Sequence, residues 1–121
     1  MLPMRNFRKL EVWINARKLV KLVYELSLDL PKEEKYGLTQ QIRRCAISVP
    51  ANIAEGCAKT SQKDFVRFLQ ISLGSLYELE SHFLLCSDLG FLSEGKALSI
   101  ISEIQILQKR TSSLIRYNTK N

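Results

Sequence analysis

The sequence predicts an all-α protein, an antiparallel up-down-up-down four-helix bundle that assembles as a homo-oligomer. Apolar residues recur at threes and fours along almost the whole chain, the period of helices with one face in a core. No segment alternates as a strand would. Five glycines and three prolines in 121 residues leave few joints, so the helices are long and the loops between them short, which favours antiparallel neighbours. A chain of this length forms a single domain over residues 1–121, with its core at about 7–117.

The first helix is expected from near Phe7 or Leu10 to Leu30. Leu10, Trp13, Ala16, Val20, Val23 and Leu26 or Ser27 form its apolar stripe, which Val12, Leu19 and Leu22 widen. Pro31 stops it, because proline disfavours helical geometry at Leu30 and has no N–H. Lys32 to Gly37 reads as a short turn.

A second helix begins around Leu38, with Leu38, Ile42, Cys45, Val49 and Ile53 as its seam. Pro50 lies inside that seam and removes a bond to the carbonyl of Ala46, a cost of about 3 kcal/mol in an unadapted helix. A kink near Ala46 to Pro50, or a break into two short helices, is therefore expected. Gly56 fits a left-handed cap at its end.

Ser61 is suited to cap the third helix, with Asp64 three residues on. Phe65, Leu69, Ser72, Leu76, Leu79, Phe83 and Cys86 then alternate spacings of four and three, a heptad seam. Val66, Leu73, Tyr77 and Leu84 make a second stripe, and Phe68 and Ile71 lie on a third side. At about 28 residues this helix is roughly 42 Å long. A helix apolar over most of its circumference is covered on more than one side, and in so small a chain the second cover is another copy. Phe68, Ile71, Leu73, Tyr77 and Leu84 are the candidate oligomer interface.

Gly90 fits the C-terminal cap of that helix, and Ser93 the start of the fourth. Ala97, Ile100 or Ile101, Ile104, Leu107, Thr111 and Leu114, with Ile115 beside them, make the last stripe. Arg116 to Asn121 is polar and expected to fray.

The net charge of +6 is uneven. Residues 1–67 hold thirteen Lys/Arg against seven Asp/Glu, and residues 68–121 hold five of each. A basic half suits an anionic partner such as nucleic acid or an acidic protein face; the plainer reading is a solubilised helical surface. The candidates for contact with RNA or DNA are Arg17, Lys18 and Lys21, then Arg43 and Arg44, then Lys59 and Lys63, with Arg67 close by. Repeated around an oligomer they would neutralise a run of phosphates without reading sequence.

No 18-residue apolar run is present, so no membrane partner is expected. Met1 to Arg5 lacks a signal core, and the chain is expected to be cytoplasmic. Cys45, Cys57 and Cys86 are scattered singly, which is neither a disulfide framework nor a zinc pattern. Cys45 and Cys86 read as core residues, while Cys57, past Gly56, reads as exposed and oxidisable. His82 is the one histidine; with no nearby cysteine or carboxylate at ligand spacing it reads as a surface or core residue, not a metal site. No phosphate loop, nucleophile motif or carboxylate pair is present, so no enzyme, cofactor, metal or small-molecule substrate is expected. Asn52, Glu55, Arg67 and Glu78 are expected to form a structural polar network, with Glu55 pairing to Arg67 and Asn52 capping loose backbone near Pro50.

Phe7-x-x-Leu10-x-Val12-Trp13, Gln41-x-x-Arg44, Ser48-Val49-Pro50-Ala51-Asn52-Ile53-Ala54-Glu55-Gly56, Arg67-Phe68-Leu69 and Gly74-Ser75-Leu76-x-Glu78-Leu79-Glu80 resemble the bacterial four-helix bundle family. That family includes proteins encoded in intervening sequences of 23S ribosomal RNA genes, and the resemblance covers about Phe7 to Tyr117. Its members are similar to the accessory variability determinant of diversity-generating retroelements, a basic pentameric barrel that partners a reverse transcriptase and associates with nucleic acid. The resemblance implies a homopentamer, with RNA or DNA and a reverse transcriptase as partners, and carries no catalytic residue. Lys59-Thr60 stands where an arginine pair is frequent in the family, and Cys57 replaces its usual residue.

Overall fold

The structure, a computed structural model, describes residues 5–119. Met1 to Met4, on which the reading of the N-terminus largely rests, and Lys120 and Asn121 of the expected frayed tail lie outside the described residues. Four helices follow one another: α1 (Glu11–Ser27), α2 (Leu38–Cys57), α3 (Gln62–Asp88) and α4 (Glu94–Thr119). Short 3-10 turns at Phe7–Lys9 and Lys32–Glu34 precede α1 and α2. Each helix packs against its sequence neighbours, and α1 closes the ring against α4. Among the described residues every regular element is helical, as the apolar period predicts. None of these helices is long and apolar enough to cross a membrane.

The local stop and start signals work as their chemistry dictates. The Ser61 hydroxyl accepts from the Asp64 amide at 3.1 Å, and the Ser93 hydroxyl from the Lys96 amide at 3.2 Å. Gly90, at φ 73°, ends α3; its amide donates to Ser87, and that of Phe91 to Cys86. This paired pattern needs the left-handed conformation that glycine adopts without strain. The Glu34 carboxylate accepts from the Leu38 amide and so caps α2.

Other boundaries differ from expectation. Helix α1 ends at Ser27, before Pro31 can stop it, because Leu28, Asp29 and Leu30 close three tight i to i−3 bonds. Its buried line is Val12, Ala16, Leu19, Val23 and Ser27. Leu10, Trp13, Val20 and Leu26 flank that line half-buried, and Leu22 is exposed. The stripe is therefore turned by one position, towards the side that faces α4. Helix α4 runs on to Thr119, past the expected fraying point at Arg116. Asn118 holds it there, donating to the Leu114 carbonyl and accepting from Gln62 on α3.

Helix α2 passes through Pro50 without breaking and ends beyond Gly56. Gly56 is a helix-interior glycine, not a left-handed cap. A Cβ there would lie 2.9 Å from the Phe68 Cβ and 3.4 Å from the Phe65 carbonyl oxygen. Glycine is needed because α2 and α3 meet almost backbone to backbone. The same approach buries Cys57, which is 2% exposed, and burial pushes its thiol pKa up. The expected exposed, oxidisable thiol is thus a core residue.

Candidate functional site

A polar seam lies where α2 packs against α3, around the proline. Three carbonyls near Pro50 are served by side chains. Ser48 donates to Cys45 at 2.6 Å, the Asn52 amide to Ser48 at 2.8 Å, and the fully buried Ser72 to Val49 at 2.9 Å. Ser48 and Ser75 join the two helices at 2.7 Å. Small hydroxyl residues serve here because they fit between close helices and can still bond to the backbone. Asn52 bonds to the Ser48 carbonyl of its own helix, one turn back, and not to the Ala46 carbonyl that Pro50 deprives of its donor.

Beside this seam the Cys45 thiol donates to the Ser75 carbonyl at 3.0 Å. Ligand atoms of Cys45, Glu78 and His82 lie within 4.8 Å of one another. Glu78 and His82 are four residues apart on α3, so they share one face, and Nε2 of His82 lies 3.2 Å from the Glu78 carboxylate. The other ring nitrogen, Nδ1, is buried and has no hydrogen-bond partner. Burial, and after it the neighbouring Glu78 charge, pushes the Cys45 thiol up to about 12. At neutral pH that thiol is protonated and a poor nucleophile.

The predicted polar network does not assemble as a unit. Glu55 is exposed and does not meet Arg67; Arg67 pairs with Asp64 at 3.7 Å and lies over the Phe68 ring, while Glu78 turns to His82. Helix geometry explains this, since Asp64 is one turn from Arg67 on the same helix. The reading of His82 as lacking a nearby cysteine or carboxylate is likewise corrected. Glu78 was visible in the sequence at i−4, whereas Cys45 arrives only through the α2–α3 packing.

The basic candidates fall into separate groups. Arg17 lies over Trp13, and Arg43 lies over Tyr24 while donating to Ser27 at 2.9 Å, so both line the α1–α2 edge. Arg44 and Lys21 are exposed. Lys18 lines a groove against α4, and Lys63 a groove between the start of α3 and the end of α4. At the α2–α3 turn, Lys59 and Arg67 both lie over Phe68, and Arg5 lies over Phe65 while donating to the Lys59 carbonyl. Among the described residues, several cations converge at this turn. Arg5 was not among the expected residues.

Of the candidate interface residues, Phe68 is buried within the chain by Gly56 and the Lys59 and Arg67 cations, and so presents no free surface. Leu73 is half-buried. Ile71, Tyr77 and Leu84 are 43%, 59% and 48% exposed, with Leu85 and Leu89 exposed beside them. Sequence reasoning also missed Gln108, a buried α4 residue whose amide donates to Glu80 at 2.8 Å. It sits beside the apolar stripe, and only the packing reveals the acceptor across the helix interface.

The chain is similar to a solved structure from Bacteroides thetaiotaomicron, described as a protein of unknown function from the S23 ribosomal protein family. The two share 24% identity with a TM-score of 0.80, over 86% of this chain and 97% of that one. At that identity the likeness establishes the four-helix fold. No curated protein matches the chain. The family model described as 23S rRNA-intervening sequence protein matches residues 8–113. That span takes in all of α1 to α3 and most of α4, and the chain belongs to the 23S rRNA-intervening sequence protein family.

Proposed function

We propose that the protein is a non-enzymatic, homo-oligomeric accessory protein that binds RNA or DNA through the basic end of its bundle. The observation that carries this reading is the convergence of Arg5, Lys59 and Arg67 at the α2–α3 turn, with Lys63 in the first turn of α3. Aromatic faces hold three of these cations in place, which lowers the entropy lost when phosphate is bound. The excess of six positive charges in residues 1–67 supports the same direction. The resemblance to the retroelement accessory determinant extends the reading to a pentamer and to a reverse transcriptase as partner.

The test is fluorescence anisotropy with labelled single-stranded RNA and duplex DNA, from low salt upward. Affinity is expected to fall linearly in log–log form, by a slope of roughly 0.7–0.9 per phosphate contacted. The pair Lys59→Glu and Lys63→Glu should weaken binding by about tenfold or more. Absence of binding at low salt would refute this reading.

The second reading is a protein-interaction scaffold with no nucleic-acid binding of its own. Exposed Ile71, Tyr77, Leu84, Leu85 and Leu89 along α3 favour it, since exposed apolar residues gathered on one helix suit a protein partner. Light scattering checks the oligomer common to both readings: several chain masses are expected, and a clean monomer would remove it.

A further inference from the structure

We propose that Cys45, Glu78 and His82 form a binding site for one divalent transition metal of the zinc class, joining α2 to α3 beside Pro50. The three donors come from two helices and lie within 4.8 Å of one another. Zinc bonds of about 2.0–2.3 Å place tetrahedral ligand atoms roughly 3.3–3.7 Å apart. The imidazole nitrogen and the Glu78 carboxylate, at 3.2 Å, are already at that separation. The sulfur needs only a side-chain adjustment of about 1 Å.

The donor set suits the cation. Sulfur and imidazole favour zinc-like ions over magnesium or calcium. A thiolate and a carboxylate together carry two negative charges, so a divalent ion makes the cluster neutral where Cys45 is buried. Nε2 of His82, which already faces the Glu78 carboxylate, is the ring nitrogen that takes the metal, while the buried Nδ1 keeps the ring proton. On binding, the Cys45 S–H bond breaks, its proton passes to solvent, and the sulfur takes the metal in place of its contact with the Ser75 carbonyl.

Three protein ligands leave a fourth position, which water fills. It opens toward the rim of α3, where Glu78 is exposed. Ile71 and Leu85 lie seven residues to either side of Glu78, on the same helix face, and both are exposed. The ion would therefore tie the proline-bearing helix to α3 beneath that exposed apolar stripe.

The experiment uses the full chain, stripped with a chelator and titrated with Co2+ and then Zn2+. One equivalent of Co2+ per chain is expected, with a thiolate charge-transfer band and the intense visible bands of tetrahedral cobalt; Zn2+ should abolish both. Saturating Zn2+ should raise Tm by about 5–10 °C. Cys45→Ser should remove the charge-transfer band, and Cys57→Ser should leave it intact. His82→Gln and Glu78→Gln should each weaken affinity by about tenfold or more. Both are at the partly exposed rim, so they report even if Cys45→Ser fails to fold. A wild-type chain with no charge-transfer band at saturating Co2+ would overturn the proposal. So would a band that survives in His82→Gln and Glu78→Gln at unchanged affinity, or one lost with Cys57→Ser.

Discussion

The α2–α3 and α1–α4 contacts close the same bundle by different means. Between α2 and α3 the helices meet at Gly56, and small hydroxyl residues tie one backbone to the other. Between α4 and α1 with the turn after it, the polar contacts are exposed ion pairs, Lys96 to Asp29 at 2.8 Å and Arg110 to Glu11 at 3.5 Å. Grooves remain on that side, lined by Leu22 and Leu26 at one end and by Leu10 and Leu114 at the other. Close approach with buried, directional bonds fixes one register, whereas exposed ion pairs over open grooves fix little. The first pair of helices sets the geometry, and the second closes the ring.

Substitutions can break this contrast. Gly56→Val places branched carbon atoms where even a Cβ is 2.9 Å from Phe68. It should cost about 3 kcal/mol, read as a lower denaturation midpoint at an unchanged m-value. Wild-type stability for this variant would mean that the close approach is dispensable.

The core beneath both pairs gives a pH-dependent effect. Burial, then the Glu34 charge, raises the fully buried Cys86 thiol from 9.0 to about 11. A raised folded-state pKa stabilises fully below the unfolded value and loses that contribution as pH rises. Stability should therefore decline from about pH 9 to 11, by on the order of 2 kcal/mol. Chemical denaturation in that window should show a shallower decline for Cys86→Ala than for wild type.

Ser72→Ala sharpens the comparison at one bond. It leaves the Val49 carbonyl without its side-chain donor in a buried seam and should cost about 1–2 kcal/mol in equilibrium unfolding. The smallest effect belongs to the other pair. Lys96→Met removes an exposed ion pair and should change stability by less than about 0.5 kcal/mol. If Lys96→Met cost more than Ser72→Ala, the ranking of the two interfaces would be reversed.

Much of the fold was legible because its signals are local. The heptad spacing of Phe65 to Cys86 marks the buried face of α3, and Ser61, Ser93 and Gly90 act within one turn of themselves. The candidate sites were less legible because each depends on a second element. Phe68 looked available as an interface residue until Gly56, Lys59 and Arg67 covered it. His82 looked solitary until α2 brought Cys45 alongside, and Arg43 looked like a free cation until Tyr24 and Ser27 held it.

The sequence by itself determined that there are four helices, in what order, and which face of α2 and α3 turns inward. Periodicity and capping depend on neighbours within four residues, so the linear chain already contains them. Tertiary structure decided why residue 56 is glycine, where the scattered cations converge, and which thiol meets a histidine. Those outcomes depend on distances between residues of different elements, and only packing sets such distances.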